Sequence, residues 1–215
     1  MLAELGKALE YYNNNTAKVL HALAGHIELD AVCLVLCIVI AIPLGYICAK
    51  NKRIAAVVMN IANALRFIPT IAKFIILLPF TGIGFLPAMI ALTVMSIPTV
   101  IISTMTGING VNPNVIESAK GMGLSKFRIA TDIEIPIAMP MILNGIRTAT
   151  VEIIAGTTIA SYIGAEGLGK FILSGLSQNR YSIMLVGAVL VTIMAITMDI
   201  ILSLIQSGIS KRIEG

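Results

Sequence analysis

Long apolar runs alternate with short polar or basic segments along the whole chain. Five of the runs are long enough to cross the hydrocarbon core of a bilayer, about 30 Å thick, as an α-helix. They comprise residues 27–49, 54–80, 84–108, 138–163 and 182–205. Pro69 lies inside the second run, and because proline removes a helical hydrogen bond, we expect that helix to be kinked or interrupted. The pattern predicts an all-α integral membrane protein with about five transmembrane helices.

The composition agrees with a membrane protein and disfavours several soluble classes. Of the 215 residues, 57% are hydrophobic and 12% are charged, which is more apolar than a soluble core of this size requires. The net charge is only +4, and the basic residues lie at the ends of apolar runs rather than in a continuous stripe. This distribution is typical of a chain surrounded by membrane lipid and argues against a nucleic-acid partner.

Lysine and arginine are distributed unequally between the two sides of the predicted bundle, and the richer side of a membrane protein faces the cytoplasm. Eight lie on one side: Lys50, Lys52, Arg53, Lys120, Lys126, Arg128, Lys211 and Arg212. Four lie on the other: Lys7, Lys18, Lys170 and Arg180. The C-terminus is therefore predicted to be cytoplasmic and the N-terminus external. Residues 1–26 are predicted to form an external or interfacial segment ahead of a transmembrane domain at 27–215.

The polar segment between the third and fourth runs carries the most varied chemistry. Asn112 is suited to cap a helix that starts with Pro113, and Glu117 is expected in its first turn, near the positive end of the helix dipole. Gly121 and Gly123 should end this helix and permit close approach of another backbone. These residues predict a short, rigid, basic helix–turn–helix exposed between two membrane spans.

The spacing in this segment resembles the EAA loop of binding-protein-dependent ABC importer permeases, in which the loop docks on the ATPase subunit. Ser118 and Ile135 stand where the family pattern has Ala and Leu, and both changes keep size or polarity similar. The resemblance implies a short cytoplasmic coupling helix between the third and fourth spans, within a coupling loop at about residues 112–136. The residues that it assigns to ATPase coupling are Glu117, Ser118, Ala119, Gly123, Ile133 and Pro136.

The resemblance extends from about Ile27 to the C-terminus and is strongest to the permeases of glycine betaine, carnitine and choline uptake. It implies a multi-pass permease subunit of a bacterial plasma (inner) membrane that carries a small osmoprotectant and couples its transport to ATP hydrolysis. The implied partners are ABC ATPase subunits, a second permease copy or a similar permease, and an extracellular or periplasmic substrate-binding protein. ATP would be used by the partner ATPase, so no cofactor is expected in this chain.

Other functions remain open at this point. The same type of permease could carry an amino acid or another small polar solute. A self-sufficient secondary carrier usually contains inverted repeats with broken helices at matching positions, and no convincing internal repeat is visible in the sequence. A structural membrane adaptor would leave the charged residues inside the runs unexplained. Because the sequence contains no phosphate-binding loop, catalytic triad or metal-ligand cluster, the chain is not expected to be an enzyme or to bind a metal.

Apart from Glu28 and Asp30 at the start of the first run, five charged side chains lie inside apolar runs: Arg66, Lys73, Arg147, Glu152 and Asp199. A charge at mid-bilayer costs about 2.5–3.5 kcal/mol on insertion scales, so each should face the bundle interior, a partner or water. Arg66 and Lys73 flank Pro69, and Glu152 is the natural candidate to neutralise one of them. Together with Thr157, these three charged residues are predicted to line a translocation path, and a structural ion pair is the alternative.

The loop after the fourth run resembles the glycine-rich turn of the same permease family, with Glu166 replacing a glycine. On this basis Gly164, Glu166, Gly167 and Gly169 are candidates to contact the external binding protein. The alternative is that the glycines only permit a tight re-entry between helices, and the two roles can coexist.

Three cysteines and two histidines remain to be interpreted. Cys33, Cys37 and Cys48 lie in the first run and are predicted to be buried as small hydrophobic side chains. His21 and His26 do not share a helical face, and we expect both at the surface rather than in a zinc site.

Overall fold

The computed structural model describes residues 2–214, and it describes side chains for residues 4–211. Within these residues the α-helices are α1 (Leu2–Asn14), α2 (Thr16–Lys50), α3 (Lys52–Phe67), α4 (Thr70–Thr81), α5 (Phe85–Asn109), α6 (Pro113–Gly121), α7 (Lys126–Ile129), α8 (Ile135–Ala160), α9 (Gly169–Ser177) and α10 (Tyr181–Glu214). A π-helical turn at Ala130–Glu134 precedes α8, and a 3₁₀ turn at Ser161–Ile163 follows it. No strand occurs among the described residues, and the predicted all-α class is confirmed.

The structure contains four single helices long and apolar enough to cross a membrane, counted over the described residues. They are α2, α5, the helical segment Lys126–Ile163 that contains α8, and α10 over Tyr181–Lys211. The pair α3 and α4 makes a fifth span if it is taken as one unit, although the two helices are bent by 97°. Pro69 stands at this break, immediately before α4, where the sequence predicted an interruption.

The centre of the bundle is formed by α2, α5 and α8, which pack closely because small residues face one another. A Cβ atom added at Gly145 of α8 would lie 2.4 Å from the Cβ atom of Ser103 on α5. A Cβ atom added at Gly45 of α2 would lie 2.7 Å from the Cβ atom of Thr104. The backbones of these three helices can therefore approach only while these positions stay small.

The three cysteines are buried on α2 and none is in a disulfide, so the interpretation as small core side chains is confirmed. His26, in contrast, is completely buried, so its predicted surface position is wrong. The contacts of the His26 ring come from Ile154 and Leu168, far away in the chain, and the spacing from His21 does not reveal them.

One end of the bundle is built from α1, the first turns of α2, α9 and the start of α10. The helix α2 begins at Thr16, well before the apolar run, because its first turns have an apolar surface of their own to cover. Val19 and Ala22 are buried there with Leu168, Phe171 and Ile183. The amphipathic helix α1 packs on α10, adding Ala8 to the same cluster.

A substitution at the α5–α8 contact tests this packing. We expect Gly145→Ala to lower the free energy of unfolding by about 1–3 kcal/mol, because the new methyl group overlaps Ser103. The measurement is the thermal unfolding of the purified protein in detergent.

Gly208 provides the matched control, since it lies within α10 and an added Cβ atom would have nothing within 4 Å. Gly208→Ala should be neutral or slightly stabilising. Equal effects of the two alanines would contradict the close α5–α8 contact, whereas rescue of Gly145→Ala by Ser103→Gly would support it.

Candidate functional site

The helix α6 lies between the third and fourth spans and begins as the sequence predicted. Asn112 is its N-cap, and its Oδ1 atom accepts a hydrogen bond of 2.9 Å from the backbone N–H of Asn114. Pro113 occupies the first turn, where its missing N–H has no helical partner to lose. Because the helix starts at Pro113, Glu117 falls in the second turn rather than the first, and its exposed carboxylate points away from the chain's own core.

The end of α6 depends on a glycine for a conformational reason. Gly123 has a φ of +79°, a left-handed backbone that residues with a side chain adopt only with strain. A Cβ atom added there would meet nothing within 4 Å in this chain, and the same holds for Gly121. Within the chain, Gly123 is therefore required by the turn itself rather than by the close approach of another backbone.

The remaining predicted coupling residues lie on both sides of this turn. Ala119 is completely buried, whereas Ser118 is exposed. Ile133 and Pro136 are half-buried in and just after the π-helical turn. Proline has no N–H and its ring crowds the preceding turn, which a wider π-helical turn accommodates.

A buried carboxylate fastens this turn to the first span. Glu134, the last residue of the π-helical turn, is 3% exposed. Its Oε2 atom accepts a hydrogen bond of 2.7 Å from the hydroxyl group of Tyr46, and its Oε1 atom pairs with the ammonium group of Lys50. The segment after α6 is thus fixed to the end of α2 by a residue that the sequence analysis did not select.

Large apolar side chains stand around α6 without cover from the chain itself. Val115, Met122 and Phe127 are 40%, 74% and 77% exposed, respectively. Val115 and Met122 lie outside the candidate spans, and Phe127 stands at the very start of the segment Lys126–Ile163. Exposed side chains of this size on and beside a polar segment indicate a surface for contact with another protein.

A second arrangement lies at the bend between α3 and α4, where a cavity of about 460 Å³ is present. Arg66, Lys73 and Glu152 line it, together with the bend residues Ile68, Pro69 and Thr70. The structure therefore brings three of the four predicted path residues together. Thr157 is the exception, because it faces α2 instead.

The predicted direct pairing of Glu152 with a cation is replaced by a bridge. Arg66 Nη2 donates to the hydroxyl group of Thr99 at 2.9 Å, and that hydroxyl group donates to the Glu152 carboxylate at 3.0–3.1 Å. Among the described side chains, neither Arg66 nor Lys73 lies within 4.0 Å of the Glu152 oxygen atoms. Thr99, which the sequence analysis did not single out, occupies the space between the charges.

Thr157 belongs to a buried polar group between α8 and the first half of α2. Its hydroxyl group donates to Asp30 at 2.6 Å. His26 lies beside Asp30, with its Nε2 atom 3.2 Å from the carbonyl oxygen of Ile154, and its Nδ1 atom accepts a 3.2 Å hydrogen bond from the backbone N–H of Leu168. These two contacts fit the neutral ring with its proton on Nε2. His26 and Asp30 are spaced i and i+4, and this helical spacing was the available sequence signal.

The loop after α8 divides into exposed and buried positions. Gly164, with a φ of +82°, and Glu166 are exposed, and Glu166 pairs with Lys170. Gly167 and Gly169 are buried, and a Cβ atom added at Gly169 would lie 2.0 Å from the carbonyl oxygen of Thr158. A tight turn between helices therefore explains the buried Gly167 and Gly169. The exposed Gly164 and Glu166 are the two positions of this loop that are accessible to a partner protein.

The two other intramembrane charges form an ion pair. Arg147 on α8 is bonded through two nitrogen atoms to Asp199 on α10, with Nη2 at 2.6 Å from Oδ2. The presence of both charges inside apolar runs is therefore explained by a structural ion pair between two helices. No group of three or more metal-ligating side chains occurs among the described residues.

Comparison with known families and curated proteins gives a consistent result. Residues 41–215 match the family described as binding-protein-dependent transport system inner membrane component. The glycine betaine/carnitine/choline transport system permease protein OpuCB of Bacillus subtilis is 34% identical over 97% of this chain and 96% of its own length. The carnitine transport permease protein OpuCB of Listeria monocytogenes is 34% identical over 94% of this chain and 93% of its own length.

Solved structures support the same fold. A chain of the MetNI methionine ABC transporter, in an inward-facing conformation, has a TM-score of 0.83 and 20% identity, covering 91% of this chain and 98% of the other. An amino acid ABC transporter crystallised with histidines gives a TM-score of 0.76 at 19% identity, covering 92% of this chain and 96% of the other. At these identities the likeness concerns the fold alone.

The buried carboxylate of Glu134 can be tested directly. We expect Glu134→Ala to lower the free energy of unfolding by about 1–3 kcal/mol, since it leaves the Tyr46 hydroxyl group and the Lys50 ammonium group without their partner. The measurement is the thermal unfolding of the purified protein.

Glu166→Ala is the matched control, because it removes a carboxylate from an exposed pair with Lys170. Exposed pairs contribute about 0–1 kcal/mol, so this change should have little effect. If the two substitutions were equally mild, Glu134 would not anchor the π-helical turn to α2.

Proposed function

The chain belongs to the family of binding-protein-dependent transport system inner membrane components and is the permease subunit of an ABC importer, and we propose that its solute is a small osmoprotectant. As such a subunit it is an integral membrane protein and not an enzyme, because the ATPase activity of these importers resides in partner subunits. Its partners are ATPase subunits and a substrate-binding protein. The single observation that carries the choice of solute is the identity of 34%, over nearly the full length, to osmoprotectant permeases.

The proposed solute class comprises glycine betaine, carnitine and choline, since the names of several relatives include them. An amino acid solute has weaker support. The structurally similar methionine and amino acid transporters are only 20% and 19% identical, so the similarity supports the fold and gives no information on the solute.

We place α6 in the cytoplasm as the coupling helix that docks on the ATPase. The capped and rigid start at Asn112, the exposed carboxylate of Glu117 and the uncovered side chains of Met122 and Phe127 support this role. The Lys and Arg distribution supports a cytoplasmic position for the same segment and for the C-terminus. The N-terminus and α1 then lie outside.

The translocation path is proposed to run past the cavity at the α3–α4 bend. Thr99 lies near the middle of α5, so the charged side chains stand close to the midplane of the predicted membrane region. Two permease subunits, either identical copies or this chain with a similar permease, would enclose the path. Gly164 and Glu166 remain the proposed contacts for the external binding protein, with Gly167 and Gly169 shaping the turn behind them.

Cysteine labelling tests the orientation, in a background where the three native cysteines are replaced by alanine. Ser125→Cys, next to α6, should react with a membrane-impermeant reagent only from the cytoplasmic side. Tyr162→Cys should react from outside, because Tyr162 is 58% exposed in the external turn. Gly167 is unsuitable for this purpose, since its added Cβ atom would contact the ring of His26.

Permeabilised cells provide the control, and both cysteines should react there. Labelling of both positions from the same side of intact membranes would contradict the five-span arrangement and the cytoplasmic position of α6.

A second experiment tests coupling through the turn after α6. Gly123→Val places a branched side chain where φ is +79°, and the strain, about 1–2 kcal/mol or more, should displace the docked helix. We expect solute uptake and binding-protein-stimulated ATP turnover to fall by about tenfold in the reconstituted complex. Membrane insertion should be normal, because the residue lies outside the spans.

Gly121→Val is the matched control, because Gly121 has equal space around it and its φ is not in the left-handed region. It should reduce uptake much less. Normal uptake and stimulation in Gly123→Val would show that this turn does not transmit motion between the subunits.

A further inference from the structure

The cavity at the α3–α4 bend contains more positive than negative charge. Arg66 and Lys73 contribute two cations to its lining, and Glu152 contributes one carboxylate. Among the described side chains, Lys73 has no carboxylate within 4.0 Å, although it is only half-exposed. A cation in a membrane span normally faces a counter-charge or water, so this ammonium group is available for an anionic group inside the cavity.

The backbone adds to the same positive field. The helix α4 begins at Thr70, directly at the cavity, and in the described structure no side chain caps this end. The free N–H groups of a first helical turn carry a partial positive charge and are well suited to bind a carboxylate. Broken helices in secondary transporters present half-helix N-termini to anionic solute groups in the same physical arrangement.

The carboxylate of Glu152 supplies the negative charge of the cavity lining. It is held by the hydroxyl group of Thr99, which also accepts from Arg66, so its position is fixed from the α5 side. The cavity thus presents the ammonium group of Lys73 beside the start of α4, and on α8 a carboxylate that one hydroxyl group separates from Arg66. This charge distribution is complementary to a small zwitterion, whereas a simple cation would meet two like charges.

Building on the proposed function, we propose that this permease itself recognises the carboxylate of its solute, through Lys73 assisted by Arg66 and the N-terminus of α4. Glu152 would face the cationic end of the same molecule. The cavity therefore favours carboxylate-bearing quaternary ammonium solutes, such as glycine betaine and carnitine, over choline. Selection would then occur in the membrane as well as in the binding protein.

Glycine betaine and choline form a matched pair for the test, because they share a trimethylammonium group and differ in a carboxylate or a hydroxymethyl group. The measurement is the uptake of each solute into proteoliposomes by the full complex with the ATPase and the binding protein. The result is expressed as the ratio of glycine betaine to choline uptake. Every variant is measured with the same binding protein, so the selectivity of that protein cancels between variants.

We expect Lys73→Gln to lower this ratio by about tenfold, the typical effect of losing one charge-assisted hydrogen bond. Arg66→Gln should lower it in the same direction, and Lys73→Arg should retain it because the positive charge remains. Lys52→Gln is the control for a lost lysine charge, since Lys52 is exposed at the start of α3, far from the bend, and its ratio should equal that of the wild type.

A second measurement separates solute recognition from folding. The unfolding temperature of the permease–ATPase complex, without binding protein, is recorded with and without each solute. Glycine betaine should raise it in the wild type and in Lys73→Arg but not in Lys73→Gln, and choline should have a small effect throughout. If Lys73→Gln gives no folded complex in the absence of solute, its loss of uptake is a folding defect. The uptake ratio of Arg66→Gln then decides whether the cavity recognises the solute carboxylate.

The outcomes distinguish the inference from the proposed function. An unchanged ratio in Lys73→Gln, or a parallel loss of both solutes, would overturn the recognition of the carboxylate while leaving the osmoprotectant function intact. A wild-type complex that imports none of glycine betaine, carnitine and choline would overturn the proposed function and the inference with it. A phospholipid that co-purifies with the wild type and is lost in Lys73→Gln, with no effect of glycine betaine, would also overturn the inference and assign the cavity to a lipid headgroup.

Discussion

The hydrocarbon core of a membrane cannot hydrate a charge, so every ionised side chain within the spans needs a partner or a path to water. Most of this protein satisfies that constraint between helices. Arg147 and Asp199 join α8 to α10, and Glu134 joins the π-helical turn to the end of α2. The cavity at the bend is different, because its positive charges exceed its negative charges. A structural role explains the paired charges well, but it does not explain the excess of positive charge in this cavity.

Small residues set the second constraint, which is how closely the three central helices approach. At Gly45 and Gly145 there is no room for a methyl group, so α2, α5 and α8 behave as one packed unit. Within that unit, α8 connects the proposed coupling segment to the cavity. It begins directly after the π-helical turn that follows α6 and α7, and it carries Glu152, which lines the cavity. One continuous helix therefore links the proposed coupling segment to the proposed solute site.

Local sequence patterns predicted those structural features that depend on residues close together in the chain. The spans follow from apolar length, the break before α4 follows from Pro69, and the start of α6 follows from Asn112 and Pro113. The details that sequence reasoning missed depend on residues far apart in the chain. Glu134 meets a tyrosine hydroxyl group 88 residues earlier, and His26 meets a backbone carbonyl group 128 residues later. Neither contact leaves a periodic signal.

The same distinction explains why the charged cavity was predicted only in part. The positions of Arg66, Lys73 and Glu152 inside apolar runs pointed to a shared polar region, but Coulomb attraction alone suggested a direct pair. The structure inserts Thr99 between them, which a sequence cannot indicate because serine and threonine are common in packed membrane helices. The helices on the open side of the cavity bury few side chains, with only Ala62 buried on α3 and only Phe74 on α4. We therefore expect the α3–α4 bend, rather than the packed α2–α5–α8 unit, to be the part of this subunit that yields when a solute passes.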